Sequence, residues 1–252
     1  MKRAAVPLVL LVVLSGCGSS TSSPSPGGLS GNWQMTVYTN PLKTPSGFLL
    51  QSGNSLSGRF LVSGLCPSVA PAQGQLSGSN VSLTINQTAQ TMTLTGTATA
   101  DESSMSGNYS NLANGCGQTQ VGPWTASRVN TLTGNFQSTF TSGNVNAVFH
   151  FTGSVTQGAN TGGSYALLSG NMTSTDATCF MSASITGQIT GTSVVLNLED
   201  SAGDSLGKVD AVLTTDATSA SGTYEFSSPT VKLPCVSDYG TVVFVITPSS
   251  GT

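Results

Sequence analysis

Charge is scarce: only 7% of the 252 residues are Asp, Glu, Lys or Arg, where an average soluble domain carries about a quarter. Long surface helices need that charge on their exposed faces, and the residues that replace it here are poor helix formers, so long helices are not expected. Seven Lys and Arg against ten Asp and Glu give a net charge of −3. No basic patch exists to meet phosphates, which excludes a nucleic-acid binder. One histidine, His150, cannot build a multi-histidine metal centre and leaves a Ser-His-Asp triad a single place to form. No Gly-rich loop follows a strand and opens a helix, which excludes a nucleotide site. No C-x-x-C occurs, which argues against redox activity.

What fills the chain instead is 39 Ser, 34 Thr, 30 Gly and 15 Asn, together 118 of 252 residues. The N-terminus departs from this composition. Met1-Lys2-Arg3 is basic, and Ala4 to Leu14 is an apolar run of eleven residues, the charged and hydrophobic parts of a secretory signal. Eleven residues fall short of the roughly 20 that span a bilayer. The run closes on Leu14-Ser15-Gly16-Cys17, which resembles the lipobox of bacterial lipoproteins. That resemblance implies cleavage before Cys17 and acylation of Cys17 as the new N-terminus. Two or three acyl chains anchor stably where one does not, so a membrane is the expected partner at this end. Gly18 stands where an Asp would imply retention at the inner membrane, so the resemblance favours the outer membrane of a bacterial envelope. Residues 1–16 read as signal peptide, and residues 17–28 as a lipidated Cys followed by a flexible Ser/Pro/Gly linker.

Beyond Gly28 the chain reads twice. Leu29-Ser30-Gly31-Asn32-Trp33-Gln34 returns as Leu132-Thr133-Gly134-Asn135-Phe136-Gln137, an offset of 103. Gly74-Gln75-Leu76-Ser77-Gly78-Ser79 returns as Gly187-Gln188-Ile189-Thr190-Gly191-Thr192, an offset of 113, and Ser106-Gly107-Asn108-Tyr109 as Ser221-Gly222-Thr223-Tyr224, an offset of 115. The growing offset describes two copies of one unit that differ by small loop insertions, each of ordinary domain size. The copies span 29–130 and 131–248, with a tail at 249–252.

Within each copy apolar residues alternate with polar ones, as in Thr91-Met92-Thr93-Leu94-Thr95 and Val81-Ser82-Leu83-Thr84-Ile85. Period two is the signature of half-buried antiparallel strands. Gly, Asn and Asp mark the turns at short spacing. About eight strands fit each copy, those of the first copy near 31–39, 47–52, 55–63, 72–77, 80–88, 91–100, 104–110 and 122–129. The expected fold is all-β: two tandem antiparallel up-and-down barrel-like domains, with β-sandwiches as the alternative.

With Cys17 assigned to lipid, Cys66, Cys116, Cys179 and Cys235 remain, an even number in an exported chain. Of the three pairings, the repeat selects Cys66–Cys116 with Cys179–Cys235. In a meander each pair falls in two connections at the same rim, so strand count and pairing support one another.

The opening Gly31-Asn32-Trp33, followed by about eight meandering strands, resembles the avidin and lipocalin (calycin) barrels, whose first strand carries G-x-W. The resemblance implies that Trp33 closes the barrel floor against Arg128, near the end of the last strand, through a cation–π contact. In the second copy Phe136 and Ile246 take these two places. An immunoglobulin-like sandwich fits less well, because its cysteines sit within strands, whereas these lie in Gly- and Pro-flanked connections.

Chemistry-bearing residues are few. His150 alternates with Phe149 and Phe151 on the outward phase of a strand, the position of a surface residue. The acidic turn Glu199-Asp200-Ser201-Ala202-Gly203-Asp204 lacks the spacing of a calcium loop. Asp101-Glu102 and Asp216 occupy equivalent turns, where Asp bonds nearby backbone amides. The remaining candidate is the barrel interior, with Trp33, Phe60, Tyr109 and Trp124 lining a ligand pocket; an eight-stranded barrel either fills with side chains or holds one small ligand. The sequence thus reads as an exported, lipid-anchored, non-enzymatic binding module without metal or cofactor, whose ligand is a small molecule or an envelope polymer. The alternative is a structural or adhesive envelope protein with filled barrels.

Overall fold

The computed structural model of the chain describes residues 28–63, 67–88, 90–113, 119–176, 179–227 and 235–249. The signal peptide, Cys17, and the Cys66–Cys116 pair lie outside them. The first eight strands are β1 (Gly31–Val37), β2 (Ser46–Ser52), β3 (Ser55–Val62), β4 (Ser68–Ser77), β5 (Asn80–Gln87), β6 (Gln90–Ala98), β7 (Ser104–Ala113) and β8 (Gln120–Val129). The second eight are β9 (Gly134–Ser142), β10 (Val148–Gln157), β11 (Ala166–Ser174), β12 (Ser182–Thr190), β13 (Ser193–Glu199), β14 (Ser205–Leu213), β15 (Ser219–Phe226) and β16 (Tyr239–Pro248). Each strand pairs antiparallel with the next, and β8 returns to β1 as β16 returns to β9, so both meanders close into barrels. Closure overturns the sandwich alternative, which would leave two open sheets.

The alternation read from the sequence builds this shape. On β5, Val81, Leu83 and Ile85 are buried inside while Ser82 is exposed. Threonines and serines coat the outer wall, so the barrels are apolar inside and polar outside. Three strands run longer than their alternation indicated by more than one residue: β7 continues past 110 to Ala113, and β4 and β8 start early. β4 starts at Ser68 and β8 at Gln120, four and two residues ahead of 72 and 122, because each passes through a proline. Pro71 pairs with Arg59 of β3, but β5 joins β4 only from Ala72 onward. Pro123 pairs with Asn108 of β7, and the ladder to β1 begins at Trp124. Each proline thus stands where its strand has a single ladder neighbour, the one place in a sheet where the missing N–H is harmless.

The two interiors are packed differently. The first buries Trp33, Trp124, Phe60, Met35, Leu83 and Ile85 without measurable exposure. The second is built on phenylalanines: Phe140 stacks on Phe226 at 5.7 Å and Phe151 on Phe180 at 4.9 Å. Cys179 and Cys235 are bridged beside this cluster, with Cα atoms 5.4 Å apart.

Each barrel has an entry rim, where its first strand begins, and a far rim opposite. The barrels meet through the β12–β13 turn, on the entry rim of the second barrel, which seats on the outer wall of β1 in the first. Asn32 Nδ2 donates to the Gly191 carbonyl at 2.8 Å, and Gly191 N–H donates back to Asn32 Oδ1 at 2.7 Å. Thr192 donates its N–H and hydroxyl to Gln34 Oε1 at 3.2 and 3.3 Å. Phe48 of β2 and Val129 of β8 join the apolar cluster of the second barrel.

Candidate functional site

At the far rim of the first barrel the inward phase changes character. Val81, Leu83 and Ile85 on β5 are followed by Gln87; Met92 and Leu94 on β6 are preceded by Gln90; Tyr109 on β7 is followed by Asn111. Gln87 and Gln90 face each other across the β5–β6 ladder, and Asn111 faces Met92. All three amides are buried, Gln90 to 1% and Asn111 to 3% exposure. Gln90 Nε2 donates to Gln87 Oε1 at 3.1 Å, and Gln87 Nε2 donates to Ser68 Oγ at 3.2 Å. Gln90 Oε1 and Asn111 Oδ1 accept nothing among the described residues. An orphaned buried acceptor costs about 1–3 kcal/mol, so two in one cluster mark a place that a donor-bearing molecule would complete. Tyr109 borders the site, donating its hydroxyl to the Tyr38 carbonyl at 3.3 Å, and burial raises its phenol above the ordinary value.

The equivalent rim of the second barrel is closed. Asp238 is fully buried and accepts from Tyr224 Oη at 2.5 Å and Ser142 Oγ at 2.6 Å. Burial, then the Asp238 contact, pushes the Tyr224 phenol well above its usual range. Phe180 fills the space beneath, stacked on Phe151. Toward the entry rim of this barrel, the void among Phe136, Val155, Leu196 and Phe244 is about 20 Å³ and lined by apolar side chains, room for about one water and no larger ligand.

Trp33, Phe60, Tyr109 and Trp124 come together inside the first barrel, each at most 2% exposed, packed on one another's neighbours as core. Trp33 Nε1 donates to the Leu29 carbonyl at 2.9 Å and Trp124 Nε1 to the Thr95 carbonyl at 3.1 Å. Arg128, paired across the ladder with Trp33, lies over its ring at 5.3 Å and donates to the Gly28 carbonyl. Burial pulls the guanidinium below its ordinary pKa, opposed by Glu102 and Asp101. In the second barrel Phe136 and Ile246 face each other at the same register.

His150 is exposed and bonds Asp176 Oδ2 through Nδ1 at 3.1 Å, tying β10 to the β11–β12 connection. Burial raises the Asp176 pKa, but hydrogen bonds from His150 and Thr175 outweigh it and hold the carboxyl below its usual range. Asp200 accepts from the N–H groups of Ala202 and Asp204 at 2.8 and 3.0 Å, so its carboxylate folds its own turn. Among the described residues no three His, Cys, Asp or Glu gather as metal ligands. Reading the sequence missed Gln87, Gln90 and Asn111; the available signal was polar residues continuing the inward phase of apolar strands.

No protein-family model matches the chain, and no curated protein or solved structure matches it significantly.

Proposed function

We propose that this chain is an exported lipoprotein, anchored through acylated Cys17 to the outer membrane of a bacterial envelope, that works as a non-enzymatic binding module. Its site is the far rim of the first barrel. The observation that carries the reading is the pair of buried acceptors Gln90 Oε1 and Asn111 Oδ1 that have no donor among the described residues. The three amides are uncharged and the open valences are acceptors, so the ligand is a neutral donor, a hydroxyl or amide N–H of a small molecule or an envelope polymer. The closed eight-stranded barrel and the Arg128–Trp33 contact at the opposite end support a calycin-like reading, in which one end is sealed and the other receives the ligand.

The second barrel supports the structural reading for its own half, because the void among its core side chains has room for about one water and its far rim holds buried Phe180 and the Tyr224–Asp238 bond. A thermal-shift panel of neutral polyols, saccharides and amides on the mature protein separates the two. A ligand at a hundred times its Kd stabilises by about 2.7 kcal/mol, a rise of several degrees. Asn111→Leu should abolish that rise while stabilising the ligand-free protein by roughly 1 kcal/mol, since it removes an unsatisfied polar atom. No shift with any donor, together with a destabilised Asn111→Leu, would leave the protein a structural or adhesive one.

A further inference from the structure

The contact between the two barrels is heterologous: a turn of the second rests on a wall of the first. The repeat supplies both parts a second time. The turn Thr190-Gly191-Thr192 has its counterpart in Ser77-Gly78-Ser79, the β4–β5 turn of the first barrel. Both hairpins turn over two residues with the glycine at positive φ, +54° at Gly191 and +60° at Gly78. Gly191 is buried, and a side chain there would strike Gln34 and Ser46 of the first barrel. Gly78 is exposed, with nothing near it.

The wall is repeated as well. The strand registers carry Asn32 onto Asn135, Gln34 onto Gln137 and Ser46 onto Thr152. Asn135 and Gln137 are exposed and border a groove of about 580 Å³ with Thr152, Ser154 and Asn171. The two amides that hold the turn within the chain are thus present again, and the surface they hold is open.

We propose that this groove receives the Ser77-Gly78-Ser79 turn of a second copy of the chain, by the contact that already joins the two barrels of one copy. Asn135 brackets the Gly78 backbone from both sides, and Gln137 accepts from Ser79. The contact is heterologous, using a turn on one copy and a wall on the next, so each added copy presents a fresh wall and copies join head to tail. Phe48 and Val129, apolar in the internal contact, correspond to Ser154 and Thr247 in the groove. The contact between copies is therefore more polar and weaker than the one within a copy, which makes the assembly reversible and dependent on local concentration. It involves none of the residues at the far rim of the first barrel.

Sedimentation of the mature full chain, without ligand and in density-matched detergent, tests this. The weight-average mass should climb with concentration past that of a dimer. Asn135→Ala with Gln137→Ala, and separately Ser79→Trp, should each return it to the monomer without moving the melting temperature, because all three residues are exposed. Chains carrying Ser79→Cys mixed with chains carrying Gln137→Cys should form a disulfide-linked dimer in excess over a Ser79→Cys and Thr95→Cys mixture. A mass that stays monomeric with no excess cross-link overturns the proposal, as does association that survives either surface change.

Discussion

Asp101 shows how the few charges of this chain are used. Its carboxylate accepts from the hydroxyls of Thr99 at 2.6 Å and Ser103 at 2.8 Å and from the Ser103 N–H at 3.2 Å, and these bonds lower its pKa from 3.8 to about 2. Asp216 sits in the same knot with Thr214 and Thr218 and is lowered likewise. A carboxyl that binds its proton less readily folded than unfolded contributes stability in full above the unfolded value and loses it as pH falls through the folded one. The Asp101 contribution is therefore complete above about pH 4 and drains away toward pH 2. A carbon-detected NMR titration should find its midpoint near 2; a midpoint at the ordinary 3.8 would contradict the hydrogen bonds. Both aspartates were legible as turn residues. Gln90 and Asn111 were not legible as a site, because a polar residue at an inward position means nothing until the neighbouring strands show that its partners are missing.

At the scale of strands and connections, period two was enough to place the strands and, on β5 and β6, the inward residues Val81, Leu83, Ile85, Met92 and Leu94. It was not enough to place the starts of β4 and β8. A proline reads locally as a strand breaker, and only the ladder shows that Pro71 and Pro123 each have one neighbour. The Cys179–Cys235 bridge joins the β11–β12 and β15–β16 connections across 56 residues, two connections at one rim that the strand count brings together. Closing a loop of that length lowers the entropy of the unfolded chain by about 4 kcal/mol at ordinary temperature. Replacing both cysteines by Ser should cost the second barrel an amount of that order in urea unfolding, with near-native circular dichroism in the folded baseline, because the ring contacts among Phe140, Tyr224 and Phe226 are made by residues away from the bridge. A loss below about 1 kcal/mol would mean that the bridge constrains little of the unfolded ensemble.

In the whole molecule, two barrels of one strand order differ in what fills them and what they touch. The first keeps amides at its far rim; the second has rings and a buried carboxylate. Their relative placement depends on Asn32, which is 3% exposed and makes both bonds to Gly191. Asn32→Ala leaves the Gly191 N–H and carbonyl without those partners at a cost of about 1–3 kcal/mol. Hydrogen exchange at the Gly191 amide should accelerate about tenfold or more, and the radius of gyration from solution scattering should grow while each barrel keeps its own unfolding midpoint. Unchanged protection at Gly191 would show that Phe48 and Val129 hold the barrels together without it.

The sequence by itself determined the all-β class, the two copies, the inward residues of regularly alternating strands such as β5 and β6, and the agreement of the Cys179–Cys235 pair with its strand count. These depend on period and spacing, which are local and additive along the chain. Only the tertiary structure decided that the sheets close, that Gln90 Oε1 and Asn111 Oδ1 are buried with no donor among the described residues, and that Asn32 is spent on a neighbouring barrel while Asn135 is open. Those facts depend on which residues from distant strands share a rim or a wall. Low charge has the same double aspect: composition predicts a Ser- and Thr-coated sheet, but the shape of the barrels decides which of those hydroxyls and amides face water, a core or another copy.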